Sequence, residues 1–98
     1  MTIEIKRNAS ACTVELAGRL DTTTAPMLDR VINEDIEGVT ELVLDINGLE
    51  YMSSAGLRVL LNAQKKMQKI GSMTVRNVSE DIMEIFDMTG FSDILVIE

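Results

Sequence analysis

The sequence predicts an α/β fold: a mixed, mostly parallel sheet of about five strands, with an N-terminal hairpin and helices packed on it. Two alternating segments open the chain around a short polar link, strand and helix patterns then take turns, and two later strand segments, at Leu42-Val43-Leu44 and Ile94 to Ile97, are continuously apolar, as in parallel sheets. At 98 residues the chain fits one domain spanning 1–98, with one modest core.

Thr2 to Arg7 and Ala11 to Ala17 each alternate, with Ile3 and Ile5, then Cys12, Val14 and Leu16, on the face to be buried. Asn8-Ala9-Ser10 between them reads as a hairpin link. Gly18 and Asp21 break the second strand, Thr22, Thr23 and Thr24 offer caps, and Pro26 suits a first helical turn. The helix that follows carries Met27, Leu28, Val31, Ile32 and Ile36 as its apolar stripe and ends at Gly38.

Glu41 to Ile46, with Leu42-Val43-Leu44 unbroken, reads as a central strand buried on both faces, and Asn47-Gly48 as a turn. A second helix runs from Ser53 or Ser54 to about Ile70 and stops at Gly71. Ser72 to Asn77 is a further strand. Ser79 caps a short helix through Ile82, Met83, Ile85, Phe86 and Met88 that ends at Gly90, and Ile94 to Ile97 is the last strand.

Composition removes several function classes. Nine basic and sixteen acidic residues leave a formal charge of -7, which repels nucleic-acid backbone and anionic lipid and favours a neutral or basic protein partner. No apolar run approaches the ~20 residues of a membrane span, and the first residues lack a signal-peptide pattern, so the expected address is cytoplasmic, with no membrane insertion. The absence of histidine excludes Ser-His and Cys-His nucleophile pairs and imidazole-ligated metals. Cys12 is the only cysteine and falls in a strand pattern, as a buried structural thiol. No cofactor, metal site or catalytic residue is expected.

With 3% aromatic residues, the core must draw on aliphatic side chains and the seven methionines. Met27, Met67, Met83 and Met88 fall at or beside apolar helical positions, whereas Met52 is the methionine expected to be exposed. Lys65, Lys66 and Lys69 read as a solvated helical face near a C-terminus.

The constellation that carries chemistry is Asp45-Ile46-Asn47-Gly48-Leu49-Glu50-Tyr51-Met52-Ser53-Ser54-Ala55-Gly56-Leu57. It places two hydroxyls at a helix N-terminus, where unpaired N–H groups and a partial positive charge favour an anion. Two readings of the serine pair stand at this point: a helix cap, or a hydroxyl that accepts a phosphate without unfolding anything. Gly56, inside a first helical turn, points to close approach of another backbone or of a partner.

Four landmarks then coincide in order along nearly the whole chain: Gly18-Arg19-Leu20-Asp21 after the second strand, Leu42 to Asp45, Ser54-Ala55-Gly56-Leu57, and Phe86-Asp87-Met88-Thr89-Gly90-Phe91. Together they resemble the anti-sigma factor antagonists of the STAS-domain family. The sequence departs from the usual family pattern with Ser53, where Asp often precedes the phosphorylated serine, and with Ala55, where Ser or Thr often follows.

The resemblance implies a single STAS domain in which Ser54 is phosphorylated by an anti-sigma factor that is also a serine kinase, and is reset by a serine phosphatase. The unmodified form would bind the anti-sigma factor and free the sigma factor. The expected contact surface comprises Asp21, Tyr51, Met52, Ser53, Ser54, Ala55, Gly56, Leu57 and Arg58, with Ser53 as the capping hydroxyl.

Asp21 is either a helix cap or an acidic group beside the phosphorylated serine, and Asp45 either caps the turn at Asn47 or bonds the serine loop. Two other functions fit less of the pattern: a non-cycling STAS binding module of a signalling or lipid-transport complex, and an enzyme built on Asp21, Asp45 and Glu50.

Overall fold

Alternation along β2 (Ala11–Leu20) sends Cys12, Val14 and Leu16 into the core and Thr13, Glu15 and Ala17 to the opposite face, in a computed structural model that describes residues 1–98. β1 (Thr2–Asn8) pairs antiparallel with β2 across an Ala9-Ser10 turn. β3 (Glu41–Met52) runs parallel to β2, and β4 (Ser72–Arg76) parallel to β3, so the sheet order is β1-β2-β3-β4.

The helices are α1 (Ala25–Arg30), α2 (Ser54–Ile70) and α3 (Glu80–Thr89). Leu28 of α1, Leu60, Ala63 and Met67 of α2, and Ile82 and Phe86 of α3 share one core with Val14, Leu44 and Val75 of the sheet. All three helices therefore cover the same face. The other face, with Glu4, Lys6, Thr13, Glu15, Val43, Asp45, Thr74 and Arg76, stays exposed or half-buried. The expected two-sided burial of Leu42-Val43-Leu44 is thus corrected: Leu42 and Leu44 are buried and Val43 looks out on the open face.

The expected turn at Asn47-Gly48 is not formed, and β3 continues to Met52. Two register shifts against β2 absorb the irregularity, one between Glu15 and Ala17 and one between Gly18 and Arg19. Each inserts an extra residue into β3 and flips its alternation, which is why Leu44 and Ile46 are followed inward by Leu49 and then Met52. β2 likewise runs past Gly18, whose φ of 96° suits a residue without Cβ.

The last strand is reduced to a fringe. Phe91–Asp93 forms a 3-10 turn, and the segment beyond it meets β4 only at the Val75–Ile97 bridge, with Val75 N–H donating to the Val96 carbonyl and Glu98 N–H to that of Val75. α1 loosens into a π-helical turn over Val31–Asp35. The Ile32 carbonyl in that widened turn accepts a 2.7 Å hydrogen bond from Lys66 Nζ, so Lys66 fastens α2 to α1 rather than lying free in solvent.

Met67 is fully buried, but Met27 and Met88 are exposed, Met88 at 80%. Met88 lies two residues beyond Phe86, about 200° around the helix and so away from the core stripe.

Candidate functional site

The site begins where β2 and β3 end side by side. Arg19 lies opposite Tyr51 and Leu20 opposite Met52, and the Ser53 N–H donates to the Leu20 carbonyl at 2.8 Å. That bond brings the chain entering α2 against the chain entering α1. Gly48 permits the approach, since a Cβ there would stand 2.8 Å from the Ala17 Cβ.

Asp21 organises the α1 side. Its Oδ1 accepts from the N–H groups of Thr23 and Thr24 and from the Thr23 hydroxyl, while its carbonyl accepts from Ala25 N–H. Thr24 Oγ1 accepts from Asp21 N–H and donates to the Arg19 carbonyl, closing the turn reciprocally. Asp21 thus braces the Thr22–Thr24 turn that leads into α1, while the N-cap position itself is Thr24, with no side-chain cap bond. Its carboxyl is held below the usual Asp range, first by the Thr23 hydroxyl, with the two N–H groups adding to it against some desolvation.

Asp21 Oδ2 also lies 3.9 Å from Arg19 Nε, and the Arg19 guanidinium sits 4.3 Å from the centre of the Tyr51 ring. Arg19 is the residue that sequence reasoning missed. Only the bulged register reveals it, because an ordinary pairing puts a different residue opposite Tyr51.

Ser53 is not the expected capping hydroxyl. Its backbone has the extended cap conformation (φ −92°, ψ 175°) and its carbonyl accepts from Leu57 N–H, yet its Oγ caps no N–H of α2. That oxygen is buried without a hydrogen-bond partner. The first N–H groups of α2 therefore have no side-chain partner from Ser53, and the neighbouring exposed residue is Ser54.

The predicted surface divides into contact and support. Tyr51, Ser54 and Arg58 are exposed, and Asp21, Ser53 and Ala55 are half-buried. Met52, expected to be exposed, is 2% exposed, and Leu57 and Gly56 are buried too, so these three hold the helix down. A Cβ on Gly56 would stand 2.6 Å from Leu20 Cγ and 3.1 Å from Met52 Cγ. The close approach expected at Gly56 is thus made to the protein's own core. Between α1 and α2 lies a shallow groove of about 250 Å³, bounded by Pro26, Asp29, Ala55, Arg58 and Asn62; Ser54 itself does not line it.

Asp45 belongs to a different network. It accepts from Asn47 N–H, Asn77 Nδ2 and Arg76 Nη2, so it bonds Asn47 within a continuous strand rather than capping a turn, makes no bond to the serine loop, and ties β3 to the chain leaving β4. Desolvation pushes its carboxyl up, and those three donors outweigh it and bring it below the usual range. Burial pushes the Cys12 thiol up, away from thiolate reactivity. No group of three or more His, Cys, Asp or Glu side chains is arranged to hold a metal ion, and no helix is long and apolar enough to cross a membrane.

The chain is 32% identical to the anti-sigma-B factor antagonist of Bacillus subtilis (strain 168), an alignment covering 97% of this chain and 88% of the relative. A crystal structure of an anti-sigma factor antagonist from Mycobacterium paratuberculosis superposes with a TM-score of 0.88 at 23% identity, over 98% of this chain and 83% of that one. The phosphorylated form of the Bacillus cell fate determinant SpoIIAA superposes with a TM-score of 0.69 at 16% identity, over 99% of this chain and 91% of that one. The family model of the STAS domain matches residues 2–98, and the chain belongs to the STAS-domain family.

Proposed function

We propose that this protein is an anti-sigma factor antagonist of the bacterial cytoplasm, a binding protein rather than an enzyme, switched by phosphorylation of Ser54. The observation that carries the reading is the entrance to α2, where an exposed serine hydroxyl adjoins a helix N-terminus that Ser53 leaves uncapped. The names of the curated relatives support the partner class.

In the unmodified state, Ser54, Ala55, Arg58, Tyr51 and Asp21 form the contact surface, and the anti-sigma factor held there releases its sigma factor. Met52, Gly56 and Leu57 keep α2 seated beneath it. A kinase activity of the same anti-sigma factor moves the γ-phosphoryl of ATP to Ser54 Oγ, releasing ADP and the hydroxyl proton, and a serine phosphatase removes it by hydrolysis. The phosphate adds about 1.5 to 2 negative charges to a chain already at -7. Oriented N–H donors accommodate it without unfolding α2, so the change falls on the surface, where its bulk, and its charge against carboxylate or apolar groups facing Ser54, oppose docking.

The test pairs ATP-dependent labelling with binding to the cognate anti-sigma factor. Ser54→Ala should abolish labelling and retain binding, and Ser54→Asp should weaken binding at least roughly tenfold, which is about 1.4 kcal/mol. Labelling that persists in Ser54→Ala, or Ser54→Asp binding as tightly as wild type, would overturn the switch. Stable binding with no labelling at all would identify a non-cycling module instead.

A further inference from the structure

The two edges of the sheet are finished differently. At β4 the C-terminal segment covers the outer backbone, through the Val75 N–H to Val96 carbonyl and Glu98 N–H to Val75 carbonyl bonds. At β1 nothing covers seven consecutive residues, which contain neither proline nor a bulge. An edge of this kind is a template for another strand, and the charges of Glu4, Lys6 and Arg7 along it, Lys6 also bonding Glu15 of its own sheet, restrict which strand and register it accepts.

The sequence of β1 is self-complementary about Ile5. In an antiparallel pair of identical strands related by a twofold axis through that residue, Ile5 meets Ile5, Glu4 of each copy lies opposite Lys6 of the other, and Ile3 lies opposite Arg7. Moving the axis to Glu4 or Lys6 places like charges directly opposite each other, so only one of these neighbouring registers is favourable. Ile5 is also 40% exposed on the side of the sheet that the helices occupy, an apolar side chain the fold leaves half uncovered.

The backbone agrees with this axis. The two-residue Ala9-Ser10 loop closes on the Asn8–Ala11 pair, so the even-numbered residues of β1 exchange hydrogen bonds with β2 and the odd-numbered ones turn theirs outward. Ile3, Ile5 and Arg7 are then the residues whose N–H and carbonyl groups await a partner.

We infer that β1 is the contact edge of a symmetric homodimer, in which two copies join through antiparallel β1 strands into one continuous sheet of eight strands. Glu4 and Lys6 set its register and Ile5 lies on its axis. β1 stops opposite Ala17, short of the Leu20–Ser53 junction, so each copy keeps its own α2 entrance open and the dimer presents two of them.

Sedimentation equilibrium over a micromolar to millimolar range tests this on the full chain. Wild type should move from the 10.8 kDa monomer toward twice that mass. Glu4→Lys and Lys6→Glu should each weaken self-association roughly tenfold, because each sets two like-charge pairs across the axis. Mixed together, these two variants should associate with each other more tightly than either does with itself, and the double variant should regain wild-type association. Circular dichroism melts check that each variant is folded. Wild type that stays monomeric throughout, or a mixture no tighter than its components, would overturn the dimer while leaving capture of an anti-sigma factor by the α2 entrance untouched.

Discussion

Ser79 and Ser53 open α3 and α2 with nearly the same extended backbone, φ −71° and ψ 163° against φ −92° and ψ 175°. Ser79 Oγ accepts the Ile82 N–H at 3.2 Å, as a cap should, whereas Ser53 Oγ is buried and caps nothing. α3 further has Glu80 and Asp81 in its first turn and ends at Gly90 with φ 80°, so its ends are stabilised locally. α2 has no acidic residue in its first turn. Its entrance is fixed instead by the Ser53–Leu20 hydrogen bond and by Gly56 lying on Leu20 and Met52. A helix fixed by packing keeps its N-terminal donors available, and those donors are what an anion on Ser54 would use.

The largest effect that tests this contrast is expected from Gly56→Ala. On propensity alone, alanine favours a helix by about 1 kcal/mol over glycine. Here the added methyl enters space held by Leu20 Cγ at 2.6 Å, on a fully buried side chain, so the substitution should instead destabilise the fold by about 2 kcal/mol in urea unfolding. A stabilised Gly56→Ala protein would show that packing does not seat α2.

Two carboxylates brace the chain next to helix entrances, Asp21 the turn before α1 and Asp45 the segment before α3 through Asn77. Both carboxyls titrate below the ordinary Asp range in the folded chain. Such a group contributes its full stability above the unfolded pKa of about 3.9 and loses it as pH falls through the lower folded value. Stability should therefore decline on acidification below about pH 5. Asp45→Asn should lose about 1.5 kcal/mol at neutral pH through its weakened bonds to Arg76 and Asn77, and should show a shallower acid decline in urea midpoints. An unchanged acid slope would remove Asp45 from this account.

Ser79→Ala comes next, at about 1 kcal/mol, the ordinary loss for a working cap. It sets the scale against which Ser53 is to be judged, with thermal or urea midpoints as the measurement.

Much of this fold was legible because burial imposes periodicity. β1, β2, the first half of β3, β4 and the three helices follow from apolar spacing, Pro26, Ser79 and the terminating glycines. The second half of β3 was not legible. Asn47-Gly48 carries a turn signature, but pairing with β2 overrides it, and two bulges move Met52 from the expected surface into the core. The fringe at Ile97 failed for a related reason: Leu95 is anchored in the core, while Ile94 and Val96 stay exposed beyond a 3-10 turn. At the site, the landmarks around Asp21 and Ser54 could be read from the chain. The division of labour among Tyr51, Met52, Gly56 and Leu57, and the part of Arg19, depended on a register that no local pattern encodes.

The smallest expected effect carries the sharpest discrimination. Ser53 occupies the position and conformation of an N-cap, so loss of its hydroxyl would ordinarily destabilise the helix by about 1 kcal/mol, as at Ser79. A hydroxyl that is buried without a partner contributes no such bond and carries a desolvation penalty of its own. Ser53→Ala should therefore shift stability by less than about 0.5 kcal/mol, in either direction, measured beside Ser79→Ala under identical conditions. Equal losses in the two variants would mean that Ser53 caps α2 in solution, that the donors of its first turn are already spent, and that a phosphate on Ser54 would have to displace that cap before reaching them.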